Sequence, residues 1–156
     1  MGAALREVTV EMLRAELTAA EVGALPAVVS PQGTMADAEA WLQERVVQAC
    51  DRVVAAVNSC SHNRPIRTGL CRVPAGCVRT ALVLARQAVI AAVPGLAETL
   101  EGGTRGAEYS AALTELHELA ACRLVPDYVL ADGELEVGAE GGMRAVWGER
   151  VSDWMF

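Results

Sequence analysis

The chain has 156 residues, 53% of them hydrophobic, with 13 basic against 20 acidic side chains and a formal net charge of −7 at pH 7. That length suits one domain with its own core and no need of staples, and the excess of acid argues against a general polyanion binder. No membrane span of about 20 apolar residues is expected, because Val22 to Ala36 is broken by Gly23, Pro26, Pro31 and Gly33, and Gln87 to Ala97 by Pro94.

The N-terminus MGAALREVTVEML lacks a basic stretch followed by a long apolar one, so no signal peptide is expected and a soluble protein of the reducing cytoplasm follows. Thr9 is placed to cap a first helix, VEMLRAEL, with Val10, Leu13 and Leu17 on one face. Thr18 to Glu21 has the capping-box pattern of a second short helix ending near Gly23. After a loop over Leu25 to Thr34, a long helix is expected from about Ala36 to Asn58, its apolar stripe Leu42, Val46, Ala49, Val53 and Val57, with Arg45 and Arg52 together on another face.

Cys60 to Val73, containing NRP and Gly69, reads as an ordered loop carrying Arg64, Arg67 and Arg72. Pro74 suits the first position of a further helix, where its missing N–H costs nothing, and Pro94-Gly95 ends that helix. Its stripe is Val78, Ala81, Leu82, Ala85, Val89 and Ala92, while Val83 and Ile90 imply cover on more than one side. Beyond Gly102-Gly103 a last helix spans Ala107 to Arg123 with Tyr109, Ala112, Leu113, Leu116 and Ala120 facing the core. From Val125 onward glycine is frequent, and Asp132-Gly133 marks a turn of a β-hairpin between Tyr128-Val129-Leu130 and Leu135-Glu136-Val137. The expected fold is mainly α: a small bundle of two short and three longer helices over 1–124, followed by an extended C-terminal arm, 125–156.

The five cysteines, Cys50, Cys60, Cys71, Cys77 and Cys122, are odd in number and irregular in spacing, which favours free thiols over a disulfide framework. Cys60, His62, Cys71 and Cys77 are four soft ligands within a short stretch, but without a C-x2-C knuckle they read as packing groups rather than a zinc site. Catalytic signatures are lacking too: there is no nucleophile elbow, P-loop, G-x-G-x-x-G or H-E-x-x-H. His62 and His117 stand alone, and Glu115 and Glu118 read as a solvated acidic face.

The distribution of charge is more informative. Residues 1–44 carry a net −5, residues 45–86 a net +6 and residues 87–156 a net −8, and every basic residue is arginine. Arg79 and Arg86 are seven apart, which drifts only about 20° around a helix, so they share a face that Arg72 could extend. Such a row could touch DNA phosphates, meet the acidic surface of a neighbouring protomer, or be solvated. The second reading is favoured, because a head-to-tail ring needs two complementary surfaces on one subunit.

The order of these elements, with RPIRTGLCRVP before the third long element and GAEYSAALTELHELAACR after the glycine break, resembles the small head–tail connector (neck, head-completion) proteins of Mu-like tailed phages and prophages. Tyr109, Ala112 and Leu116 match the family's Y-x-x-A-x-x-x-L helix, and residues 148–156 loosely resemble its aromatic-ended arm. The resemblance implies a non-catalytic virion protein without cofactor, present in the host cytoplasm before assembly. It implies a homo-oligomeric ring between portal and tail proteins, with at most weak nonspecific DNA contact and no membrane. The expected interface or channel residues are Arg45, Arg52, Arg64, Arg67, Arg72, Arg79 and Arg86. The expected docking arm holds Trp147, Arg150, Trp154, Met155 and Phe156, which either fold back on the bundle or reach a partner. The alternative is a small DNA-binding or adaptor protein using 45–86.

Overall fold

The computed structural model describes residues 2–29, 35–93 and 103–136, and in them the chain is mainly helical, with a few two-residue strands. The helices are α1 (Val10–Ala15), α2 (Ala19–Val29), α3 (Met35–Ser59), α4 (Val78–Ala92) and α5 (Gly103–Ala120), with a 3-10 turn at Ala75–Cys77 leading into α4. Both expected N-terminal signals form. The Thr9 hydroxyl accepts from the Met12 N–H at 3.3 Å. Thr18 and Glu21 bond reciprocally, Glu21 Oε2 accepting from the Thr18 N–H at 2.7 Å and the Thr18 hydroxyl from the Glu21 N–H at 3.3 Å.

The second helix continues past Gly23 and through Pro26 to Val29 instead of stopping near the glycine. Propensity yields to packing here: Leu25 is fully buried and α2 lies against α3. The loop expected over Leu25 to Thr34 therefore loses its first part to α2, and residues 30–34 lie outside the described residues.

α3 is the centre of the body and packs against α1, α2, α4 and α5. Its whole expected stripe is buried, and Cys50 and Val54 join it. α4 is covered on several sides, as Val83 and Ile90 implied, and Thr80 to Arg86 are all buried. Within the expected stripe, Val78 is only half-buried and Ala92 is exposed. By length and composition Ala75–Ala92 is apolar enough to cross a membrane, contrary to the expectation from sequence, yet 56% of it is buried inside the body, as in a core helix. α5 starts earlier than expected, and its expected face holds in part: Ala112 is buried and Tyr109 and Leu116 pack against the core, whereas Leu113 and Ala120 are exposed and Leu119 is buried instead.

One end of the body is built from extended segments. β2 (Arg6–Glu7) pairs antiparallel with β3 (Arg72–Val73), and the Val8 N–H continues the contact to the Cys71 carbonyl at 2.8 Å. β1 (Ala3–Ala4) pairs in parallel with β4 (Tyr128–Val129). In this N-terminal segment Leu5 and Val8 are buried in the core while Arg6 and Glu7, between them, stay outside.

The turn at Asp132-Gly133 forms, with Gly133 at φ +83° and the Glu134 N–H bonded to the Ala131 carbonyl. Its two flanks do not pair with each other as a hairpin. β4 pairs with β1, and Leu135 bridges antiparallel to Ile66, because both flanks find partners already held on the body. Residues 125–136 thus lie against the helical body rather than apart from it. Val137, Pro94-Gly95 and the residues Trp147, Arg150, Trp154, Met155 and Phe156 lie outside the described residues.

The loop after α3 is closed by two asparagines. Asn58 grips Ile66 at both backbone groups, donating to its carbonyl at 2.9 Å and accepting from its N–H at 2.8 Å, and Asn63 donates to the Val57 carbonyl at 2.9 Å. Ile66 is fully buried. Asn58→Ala would leave both Ile66 backbone groups unmatched and lower stability by about 1–3 kcal/mol, measured as a shift of the urea midpoint; a variant as stable as the parent would rule out this role.

Candidate functional site

The arginine row of α4 meets acid from its own chain. Arg79 pairs with Glu16 at 2.6 Å and with Glu108 at 2.8 Å. Arg86 pairs with Glu16 at 3.3 Å and makes a short contact to Glu108. Glu16 is the residue that ends α1, and Glu108 lies in the second turn of α5. On the same helix Arg105 holds Glu21 of α2 at 2.5 Å and also reaches the Glu16 carbonyl oxygen at 3.5 Å. Three guanidinium groups and three carboxylates therefore tie α1, α2, α4 and α5 together with no net charge.

Burial separates the two members of the row. The Arg86 side chain is 7% exposed and that of Arg79 is 52% exposed. A buried guanidinium without partners would be costly, and Arg86 has two acids. The neighbouring turn repeats the theme, with the buried Thr80 hydroxyl donating to Glu115 at 2.7 Å. A cavity of about 140 Å³ lies beside these groups, lined by Arg79, Thr80, Val83, Glu108, Ala112 and Glu115 among others. Its polar side chains are already engaged with one another.

The electrostatics follow from the pairing. Hydrogen bonds from Arg86 and then Arg79 hold the Glu108 carboxyl below its ordinary pKa. Burial pushes Glu21 upward, but the Arg105 hydrogen bond and the Thr18 N–H outweigh it and leave its pKa lowered. Glu134, buried at the opposite end of the sequence, behaves alike: burial raises it, and the Ala131 N–H at 2.7 Å with Arg72 at 2.6 Å brings it down overall.

The other arginines divide into two groups. Arg72 does not extend the α4 row; it belongs to β3 and pairs with Glu134. Arg45 stacks over Trp41, its guanidinium carbon 4.9 Å from the ring centroid, and donates to Gln48 at 2.9 Å. It shares a shallow groove of about 100 Å³ with Arg52, Gln48, Ala49, Leu84 and Ala88. Arg52, Arg64 and Arg67 are exposed and have no ion-pair partner among the described residues. The backbone of the last two is fixed: the Arg64 carbonyl accepts from the Tyr128 hydroxyl, and the Arg67 N–H donates to the Glu134 carbonyl at 2.7 Å. Burial pushes the Tyr128 phenol up to about 12.

The cysteines depart from the reading of five thiols. Cys60 and Cys122 form a disulfide across 62 residues, joining the end of α3 to the end of α5. Spacing along the chain carries no trace of this proximity. Cys50, Cys71 and Cys77 are free and buried, and burial pushes the Cys50 and Cys77 thiols up to about 12, so neither is a ready nucleophile. Cys71 and Cys77 do not join Cys60 and His62: Cys71 lies by Gln43, and Cys77 faces Glu115. Nor do Glu115 and Glu118 act as a pair, since Glu118 holds Arg123 at 3.2 Å.

No protein-family model, curated protein or solved structure matches the chain. Sequence reasoning missed Glu16 and Glu108 as the partners of the row, and the adjoining pair of Arg105 with Glu21. The available signal was the acidic–basic–acidic order of the chain, together with the 105, 108, 112, 115, 119 spacing on α5.

Two outcomes follow. Arg86→Ala lowers stability by about 1–3 kcal/mol, because it empties a buried position and leaves Glu16 and Glu108 to Arg79 alone, whereas Arg79→Ala, at an exposed pair, costs about 0–1 kcal/mol; equal urea midpoints for the two would refute the ranking. Because Glu21, Glu108 and Glu134 have folded pKa values below their unfolded ones, their contribution is present above the unfolded value, about 4.3, and is lost as pH falls through the folded values. Urea midpoints taken downward from neutral pH should therefore hold until the carboxylate range and then decline.

Proposed function

We propose that this chain is a non-catalytic structural protein of a tailed phage or prophage, forming a ring at the head–tail junction between portal and tail. The observation that carries this reading is the order of elements: two short helices, the long α3, an ordered loop closed at Pro74, the apolar α4, and α5 with Tyr109, Ala112 and Leu116 in turn. That is the order the resemblance to Mu-like connector proteins implies. The buried thiols and the mutually neutralised polar groups of the α4–α5 cavity support a structural role over a catalytic one.

Within this reading the subunit contact falls to the arginines of the basic segment that have no ion-pair partner among the described residues, Arg52, Arg64 and Arg67, with Arg45 beside Arg52. Arg79, Arg86 and Arg72 serve the protomer itself. The aromatic residues Trp147, Trp154 and Phe156 would anchor an arm on a neighbour or on the portal. Weak DNA contact is expected, since the net charge of −7 opposes a polyanion at long range.

Sedimentation velocity and negative-stain microscopy of the purified chain, alone at high concentration and with the portal protein of a Mu-like phage, test this. Uniform rings or a stable portal complex are expected, and Arg52→Glu combined with Arg67→Glu should impair assembly while leaving the far-UV circular dichroism unchanged. A chain that stays monomeric under both conditions would overturn the proposal. Nonspecific duplex binding should be no tighter than about 10 µM near 0.15 M salt; submicromolar binding would favour the DNA-binding alternative.

A further inference from the structure

Cys60, His62 and Cys122 each bring one ligand atom into a cluster within 4.8 Å. We propose that, once the Cys60–Cys122 disulfide is reduced, these three side chains hold a tetrahedral Zn²⁺ ion whose fourth position faces solvent. The chemistry of the donor set fits: two thiolates and an imidazole are the soft and borderline ligands that select zinc in a tetrahedral site.

The geometry fits as well. A tetrahedral ion with Zn–S of about 2.3 Å and Zn–N of about 2.05 Å sets sulfur and nitrogen about 3.6 Å apart, and Cys60 Sγ lies 3.6 Å from His62 Nδ1. The corresponding S···S edge is about 3.8 Å, which side-chain rotation reaches after the bond is broken, from Cα atoms 5.2 Å apart.

The frame does not depend on the disulfide alone. The Asn63 N–H bonds to the Cys60 carbonyl at 3.1 Å, and the Asn63 side chain to the Val57 carbonyl, so the turn carrying Cys60 and His62 is held from α3. Cys122 sits at φ +59° just past α5, where its N–H bonds to Leu119 and the next two N–H groups to Glu118. That left-handed residue closes the helix in the manner usually left to glycine. A cysteine there accepts backbone strain and delivers sulfur to the end of α3. Cys60 is fully buried, Cys122 half-buried and His62 exposed, so the site is closed on the protein side and open beside the histidine.

The step balances simply. An external dithiol gives two electrons and two protons to the Cys60–Cys122 bond and becomes a disulfide itself. Zinc then replaces the protons of the two new thiols, which leave to solvent, and His62 donates a nitrogen lone pair. In the reverse direction an external disulfide takes the two electrons of the thiolates, becomes a dithiol with two protons from solvent, and the re-formed Cys60–Cys122 bond releases the ion.

The test uses the full chain, reduced with a dithiol, desalted without oxygen and titrated with Co²⁺ and then Zn²⁺. The reduced chain should take up a single equivalent of cobalt with tetrahedral d–d bands and thiolate-to-cobalt charge transfer, both abolished by zinc, whereas the disulfide form shows neither. Cys122→Ser should remove the charge-transfer band of the dithiolate site. His62→Ala should weaken binding by about tenfold or more, and Cys71→Ser should leave it unchanged. Since Cys122→Ser also removes a cross-link, alkylation of the unmutated reduced chain gives an independent reading: zinc should protect Cys60 and Cys122. The proposal fails if the reduced chain shows no tetrahedral cobalt spectrum, if that spectrum survives in Cys122→Ser, or if zinc leaves alkylation unchanged.

Discussion

A guanidinium cannot sit inside a helical body unless carboxylates come to it, and Arg86 dictates where several helices end and begin. Its side chain is 7% exposed, in the middle of a helix whose neighbours from Thr80 to Ala85 are all buried. Glu16 reaches it because α1 stops there, and Glu108 because α5 turns the row Arg105, Glu108, Ala112, Glu115 and Leu119 inward. An α5 rotated to bury Leu113 instead would remove Glu108 from both α4 arginines. The polar row and the apolar residues Tyr109, Ala112, Leu116 and Leu119 thus agree on one rotation of the helix.

The same constraint explains the acidic–basic–acidic chain. A basic middle segment flanked by acid resembles two surfaces made for a neighbour, but the flanks fold onto the middle. Glu16 comes from the first acidic segment, Glu108 and Glu134 from the last, and their partners Arg79, Arg86 and Arg72 from the basic one, while Glu21 and Arg105 join the two acidic segments to each other. Much of the charge that looks available for association is consumed within one protomer. Replacing such a buried set by apolar groups of matching shape is often neutral for stability, so its value lies more in choosing one arrangement of α1, α2, α4 and α5 than in strength.

Legibility in the sequence followed the kind of interaction. The α3 stripe from Leu42 to Val57 is visible because its spacing maps to one helix face, and the Thr9 cap and the Thr18–Glu21 box because they are local. The passage of α2 through Gly23 and Pro26 was not visible, since the burial of Leu25 against α3 overrides local preference. The stripe of α5 is legible in part: Tyr109, Ala112 and Leu116 face the core as their spacing implies, whereas Leu113 and Ala120 are exposed and Leu119 takes the buried place. The Cys60–Cys122 bond and the pairing of β1 with β4 join residues more than sixty positions apart, and no periodicity carries that information. Of the arginines singled out from sequence, the residue type was informative and the partner was not.

The end of the body formed by β1 to β4 is where these long-range links collect. Residues 3–8 run from β4 to β3, the loop after α3 is held by Asn58 and Asn63, and residues 134–136 bond to that loop through the Arg67 N–H and the Pro65 carbonyl. Glu136, the last described residue, donates to Pro65 at 3.2 Å, immediately beside Arg64 and two residues from Arg67. The described chain therefore ends next to the exposed loop arginines. In the proposed head-to-tail ring, which needs two unlike surfaces on one subunit, these loop arginines are the basic surface. The α4 arginines, already neutralised, are not needed for it.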